Sequence, residues 1–131
     1  KGDADRSDIK LLRGGLIDIE FAAQFLVLVH AHARPEILLT GTADILRKAA
    51  ALGLLDAAQA ETLLSAHRLY TDVTQMQRIL LPVEMKPASA PAAVRRRIAA
   101  CAGLPDEQRL DSQISATASS VAKLCRRLLS A

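Results

Sequence analysis

The chain has no tryptophan and only three aromatic residues, Phe21, Phe25 and Tyr70, among 131. Strands draw heavily on aromatic and β-branched side chains, so this scarcity argues against a sheet. Cysteine is nearly as rare: Cys101 and Cys125 stand far apart and form no CxxC pair. That pattern points to reduced, buried thiols in a cytoplasmic protein. No apolar run is long enough to span a bilayer, because Asp18, Glu20 and Gln24 interrupt the best one. The opening residues, Lys1 to Lys10, are too polar for a signal peptide. Neither a GxxxxGK[ST] nor a GxGxxG phosphate loop occurs. Net charge is only +3, which calls for no nucleic-acid partner. The chain starts on Lys1 rather than Met and reads as a piece of a longer protein.

What remains is a chain half hydrophobic and rich in Ala and Leu. Its punctuation divides it into helices. Residues 1–12, with Asp3, Asp5 and Asp8, read as a linker or lead-in. A first helix is expected from about Leu16 to Ala33, ending before Pro35. Thr42 is placed to cap a second, Ala43 to Leu52, which Gly53 ends. Asp56 caps a third, Ala57 to Leu81, with Leu63, Ala66, Tyr70, Val73, Gln77 and Leu80 on one face. Three prolines make residues 82–91 a loop, and Pro91 suits the first turn of a fourth helix. Pro105 and Asp106 open a fifth, whose stripe runs Leu110, Ile114, Ala118, Val121, Leu124, Cys125, Leu128. The expected fold is all-α: one domain of five to six mostly antiparallel helices, with residues 13–81 as its core and 92–131 as the C-terminal helices.

The stretch from Arg13 to His30 organises the rest. It is a Gly-Gly entry into a helix that is apolar almost all round, as for a buried central helix. Yet Asp18, Glu20 and Gln24 fall in its first turns, and carboxylates are costly to bury unpaired. Two positions apart, Asp18 and Glu20 point about 200° from each other. They are therefore no side-by-side acid pair unless the helix start is irregular. Favourable contact with the helix dipole or with Arg13 would explain them structurally; a wet cleft would explain them functionally. Gly14 and Gly15 offer amides to a phosphate or simply a tight turn.

Other constellations are weaker. His30 and His32 are two apart, not four, which is wrong for one metal on a helix. Ser65, His67 and Asp72 share one helix without an oxyanion element. Residues 91–131 hold seven Lys/Arg against three Asp/Glu, including Arg95, Arg96, Arg97, Arg126 and Arg127. These five arginines are the candidate surface for an acidic partner.

The run Gly14-Gly15-Leu16-Ile17-Asp18-Ile19-Glu20-Phe21, with Gln24, Leu26 and Leu28, resembles the helical domain of bacterial glutamine synthetase adenylyltransferases. The uridylyltransferases of nitrogen signalling are a more distant likeness. Residues 26–35, Thr42 to Leu46 and Leu52 to Leu55 extend the resemblance, which points to the C-terminal, adenylylating half. Two stretches depart from the pattern: Gln75-Met76-Gln77-Arg78 and Leu11-Leu12-Arg13. The resemblance implies a parent enzyme that transfers AMP from ATP to a tyrosine of glutamine synthetase with Mg²⁺. It implies an upstream nucleotidyltransferase domain holding the metal, and control by glutamine and a PII-type signal protein. It also implies a cleft lined by Arg13, Gly14, Gly15, Asp18, Glu20 and Gln24. This piece alone would be inactive and would bind neither ATP nor Mg²⁺. The alternative is a regulatory module that senses glutamine or binds the signal protein, with no part in the active site.

Overall fold

Helix boundaries follow the breakers read from the sequence. A computed structural model of the chain describes residues 9–130 apart from residue 11. The lead-in acids Asp3, Asp5 and Asp8 lie outside the described residues. Five α-helices form among the described residues: α1 Leu16–His30, α2 Thr42–Ala51, α3 Ala57–Leu80, α4 Ala92–Cys101 and α5 Glu107–Ser130. No strand occurs among the described residues. Single 3₁₀ turns at Pro35–Ile37 and Pro87–Ser89 fill two of the connections.

Asp56 caps α3 as expected, with reciprocity. Its carboxylate accepts from the Gln59 amide at 2.7 Å, and the Gln59 side chain accepts from the Asp56 amide at 3.1 Å. This capping box satisfies two amides that the first turn leaves over. The expected Thr42 cap is corrected: Gly41 is the N-cap, and Thr42 is already helical, with no side-chain cap. The first helix is also shorter than expected. It ends at His30, and Ala31 to Ala33 form turns ahead of Pro35.

The core is built from one face of each helix. It joins Ile19, Ala23 and Leu26 of α1, Ile45 and Leu46 of α2, Leu63, Tyr70 and Val73 of α3, and Val121 and Leu124 of α5. Tyr70 is its largest fully buried side chain. None of the described residues is a buried charge. Helix α3 touches all four other helices and is the central one; α1 touches α5, α2 and α3.

The burial of α1 is one-sided, which corrects the expectation of a central helix enclosed all round. Leu16, Ile19, Ala22, Ala23 and Leu26 are buried, while Ile17, Phe21, Leu28 and Val29 are exposed. The small Ala22 and Ala23 let neighbours approach closely on one side. Tyr70 meets Gly14 and His67 lies toward Glu20, so α3 runs opposite to α1. Ala118 and Cys125 meet Gly14 and Asp18 in the same order, so α5 runs with α1.

Candidate functional site

The Gly14–Gly15 turn is a packed joint rather than an open loop. Both glycines are buried. Gly14 has φ +77°, a left-handed conformation that suits a residue without Cβ. A Cβ there would also collide with the backbone carbonyl of Ala118 on α5. At Gly15 it would meet the carbonyls of Ile9 and Leu12. The amides of the turn are taken: Gly14 N–H donates to Asp18 Oδ2 at 2.6 Å, Gly15 N–H to Leu12 O at 2.7 Å, and Leu16 N–H to Ile9 O at 3.1 Å. A phosphate would have to displace all three, so the turn is not the anion cradle the Gly pair allowed.

Asp18 and Glu20 are therefore separated in role. Asp18 is half-buried and faces inward to the turn. The Tyr70 hydroxyl donates to Gly14 C=O at 2.8 Å, and the Cys125 thiol approaches Asp18 C=O at 3.7 Å. Burial raises the Tyr70 phenol well above its ordinary pKa of 10.0, and the charge on Asp18 adds to the shift. Burial likewise pushes the Cys125 thiol up to about 11, again helped by Asp18. Both groups stay protonated as donors at neutral pH.

Tyr70 was legible in the sequence only as a member of an apolar stripe. The one usable signal was chemical: a tyrosine on a buried stripe must find a partner for its hydroxyl.

Glu20 lies on the outward side, exposed, as are Arg13 and Gln24. Beside them stand Ile17, Phe21, Leu28 and Val29, with Phe21 59% and Leu28 82% exposed. Ile17, Phe21, Gln24 and Leu28 follow the spacing of one helix face. Of the six cleft residues read from the sequence, then, the structure turns Arg13, Glu20 and Gln24 outward and draws Gly14, Gly15 and Asp18 inward.

A second polar region lies between α2 and α3, a pocket of about 330 Å³ lined by Arg47, Glu61, Ser65, His67, Arg68 and Asp72 among others. Arg47 is held by Asp44 at 3.1 Å. His67 is lowered below its ordinary pKa by burial, with Glu20 opposing and Arg47 reinforcing the shift. Ser65 donates to Glu61 at 2.8 Å rather than to His67, so these residues form no hydrolytic relay. His30 is partly buried and His32 exposed; among the described residues no group of three His, Cys, Asp or Glu could hold a metal.

The arginines do not form one surface. Arg95 pairs with Glu107 at 2.9 Å, at the start of α5, while Arg126 and Arg127 sit at its far end. At 1.5 Å per residue these places are roughly 30 Å apart. Arg96, Arg97, Arg126 and Arg127 are exposed. They form two patches at separate places on the surface rather than one continuous cluster.

A family model described as GlnD PII-uridylyltransferase matches residues 3–129. The chain is 42% identical over 129 residues to a bifunctional glutamine synthetase adenylyltransferase/adenylyl-removing enzyme of Bradyrhizobium diazoefficiens. Enzymes of the same name from Xanthobacter autotrophicus and Rhodopseudomonas palustris are 41% and 39% identical. Each likeness covers 98% of this chain and 13% of the relative, so the chain spans a small part of those proteins. No solved structure matches it. Matched along nearly its whole length, the chain belongs to the GlnD PII-uridylyltransferase family, in the form found within bacterial glutamine synthetase adenylyltransferases.

Proposed function

We propose that this chain is a helical domain of an enzyme that transfers AMP from ATP to a tyrosine of glutamine synthetase, in its C-terminal, adenylylating half. Its own task is contact and orientation. The outward face of α1 seats against the upstream nucleotidyltransferase domain beside its cleft, and Glu20 reaches a basic group there or on the docked protein substrate. The observation that carries this reading is the exposed apolar row Ile17, Phe21 and Leu28, with Glu20 and Gln24 set among it. Apolar faces of this kind mark protein contacts, and the polar residues among them fix orientation. ATP and Mg²⁺ belong, on this reading, to the upstream domain. The same reading has the chain alone bind neither and be inactive.

A second reading has its own support. The pocket between α2 and α3, with Arg47, His67, Arg68 and Asp72, fits a regulatory module for glutamine or a PII-type signal protein. One experiment separates the two. The longer parent enzyme is assayed for transfer of labelled AMP to glutamine synthetase, as wild type and with Glu20→Ala or Phe21→Ser. Loss of about tenfold or more in turnover, with the unfolding midpoint kept, supports the cleft reading. Unchanged turnover with an altered response to glutamine or the signal protein supports the regulatory one.

A further inference from the structure

Three helices meet at Gly14, and both of its backbone polar groups are held by side chains. Asp18 on α1 accepts its N–H at 2.6 Å, and Tyr70, 56 residues away on α3, donates to its C=O at 2.8 Å. From α5, the Ala118 backbone packs where a Cβ would be, and Cys125 approaches Asp18 C=O. Arg13 precedes this joint, and Ile17, Glu20 and Phe21 follow it within two turns. The orientation of that outward face is therefore set by how Gly14 is held.

We infer that Asp18 and Tyr70 are positioning residues. They hold the two peptide groups that flank the Gly14 Cα, Asp18 the one before it and Tyr70 the one after it, and so fix the pose of Arg13 and Glu20; Asp18 acts through its hydrogen bond rather than by presenting charge to a ligand. The inference rests on the proposed role of the outward face of α1.

The geometry makes a distinction that composition does not. A carboxylate needed for its charge cannot be replaced by an amide. A carboxylate needed only to accept one N–H can be, since the Asn side-chain oxygen accepts in the same place. Tyr70 is fully buried, and removing its hydroxyl leaves Gly14 C=O without that donor. Because both groups hold the same residue through its two adjoining peptide groups, their effects are coupled.

The test uses the full-length parent enzyme and two readouts: AMP transfer to glutamine synthetase, and hydrogen exchange at the Gly14 amide. Asp18→Ala is expected to speed exchange at Gly14 about tenfold and to lower turnover, whereas Asp18→Asn stays within about threefold of wild type in both. Tyr70→Phe lowers turnover, and the double variant Asp18→Ala/Tyr70→Phe is little worse than the poorer single. Asp18→Asn as inactive as Asp18→Ala, with Gly14 still protected in the Asn variant, would overturn the inference, because charge itself would then be required. Unchanged Gly14 exchange in Asp18→Ala, or strictly additive losses in the double variant, would overturn it equally. The exchange readout does not depend on what the outward face does. A harmless Glu20→Ala with the exchange pattern intact would sink the role of the face and leave the clamp standing.

Discussion

On one side of α1, Leu16, Ile19, Ala22, Ala23 and Leu26 are buried against three other helices; on the other, Ile17, Phe21, Leu28 and Val29 meet solvent. The two faces are similarly apolar, and hydropathy alone does not tell them apart. What differs is size and partners. The inner face carries two adjacent alanines that allow close approach, and the outer carries Phe21 and the exposed Glu20 and Gln24. The acids divide the same way: Asp18 holds the Gly14 turn, and Glu20 is exposed.

The largest effect expected on this comparison is at the joint that sets it. Gly14→Ala combines a left-handed φ with a collision at Ala118, and should destabilise the chain by about 4 kcal/mol or more, read by chemical denaturation. Next come the faces themselves. Leu26→Ala on the inner face should cost about 2–4 kcal/mol, and Leu28→Ala on the outer within about 0.5 kcal/mol. Equal losses would mean that the two faces are not distinct.

Tyr70→Phe should cost about 1–3 kcal/mol, because a buried carbonyl loses its donor. The smallest effect concerns His67 of α3, whose imidazolium is favoured by Glu20 of α1 and disfavoured by burial and by Arg47 of α2. Its pKa in the fold lies below 6.5, so the unfolded chain takes up the proton first as pH falls. Stability is lost on acidification from pH 6.5 down through the lowered value. The drop in Tm between about pH 7 and about pH 5 should be smaller in His67→Gln.

Most of the helices were legible because their signals are local. Asp56 as a cap, Gly53 with a φ of +78° at the end of α2, and Pro82 after α3 act within a turn or two of themselves. The stripe Leu63, Ala66, Tyr70, Val73 was legible for the same reason, since periodicity reports which residues share a face. It does not report whether that face is covered. Helix α1 has apolar residues on every side, so its pattern held no information about which side the rest of the chain would occupy. The separation of Asp18 from Glu20 was half legible: the angle between them followed from helix geometry, but the inward turn of Asp18 depends on Gly14, and Gly14 depends on Tyr70 and Ala118. Contacts across so many residues leave no spacing to read. The spacing of the arginines was not legible either: Arg95 of α4 pairs at the start of α5, and Arg126 and Arg127 lie at its far end.

The central claim is that the outer face of α1 is a contact surface within the parent enzyme. Hydroxyl-radical footprinting of side chains, on this chain and on the full-length parent, tests it most directly. Phe21 and Leu28 should react readily in the isolated chain and be protected in the parent, while Val83, fully exposed on the loop after α3, reacts in both. Equal reactivity of Phe21 and Leu28 in the two would contradict the account.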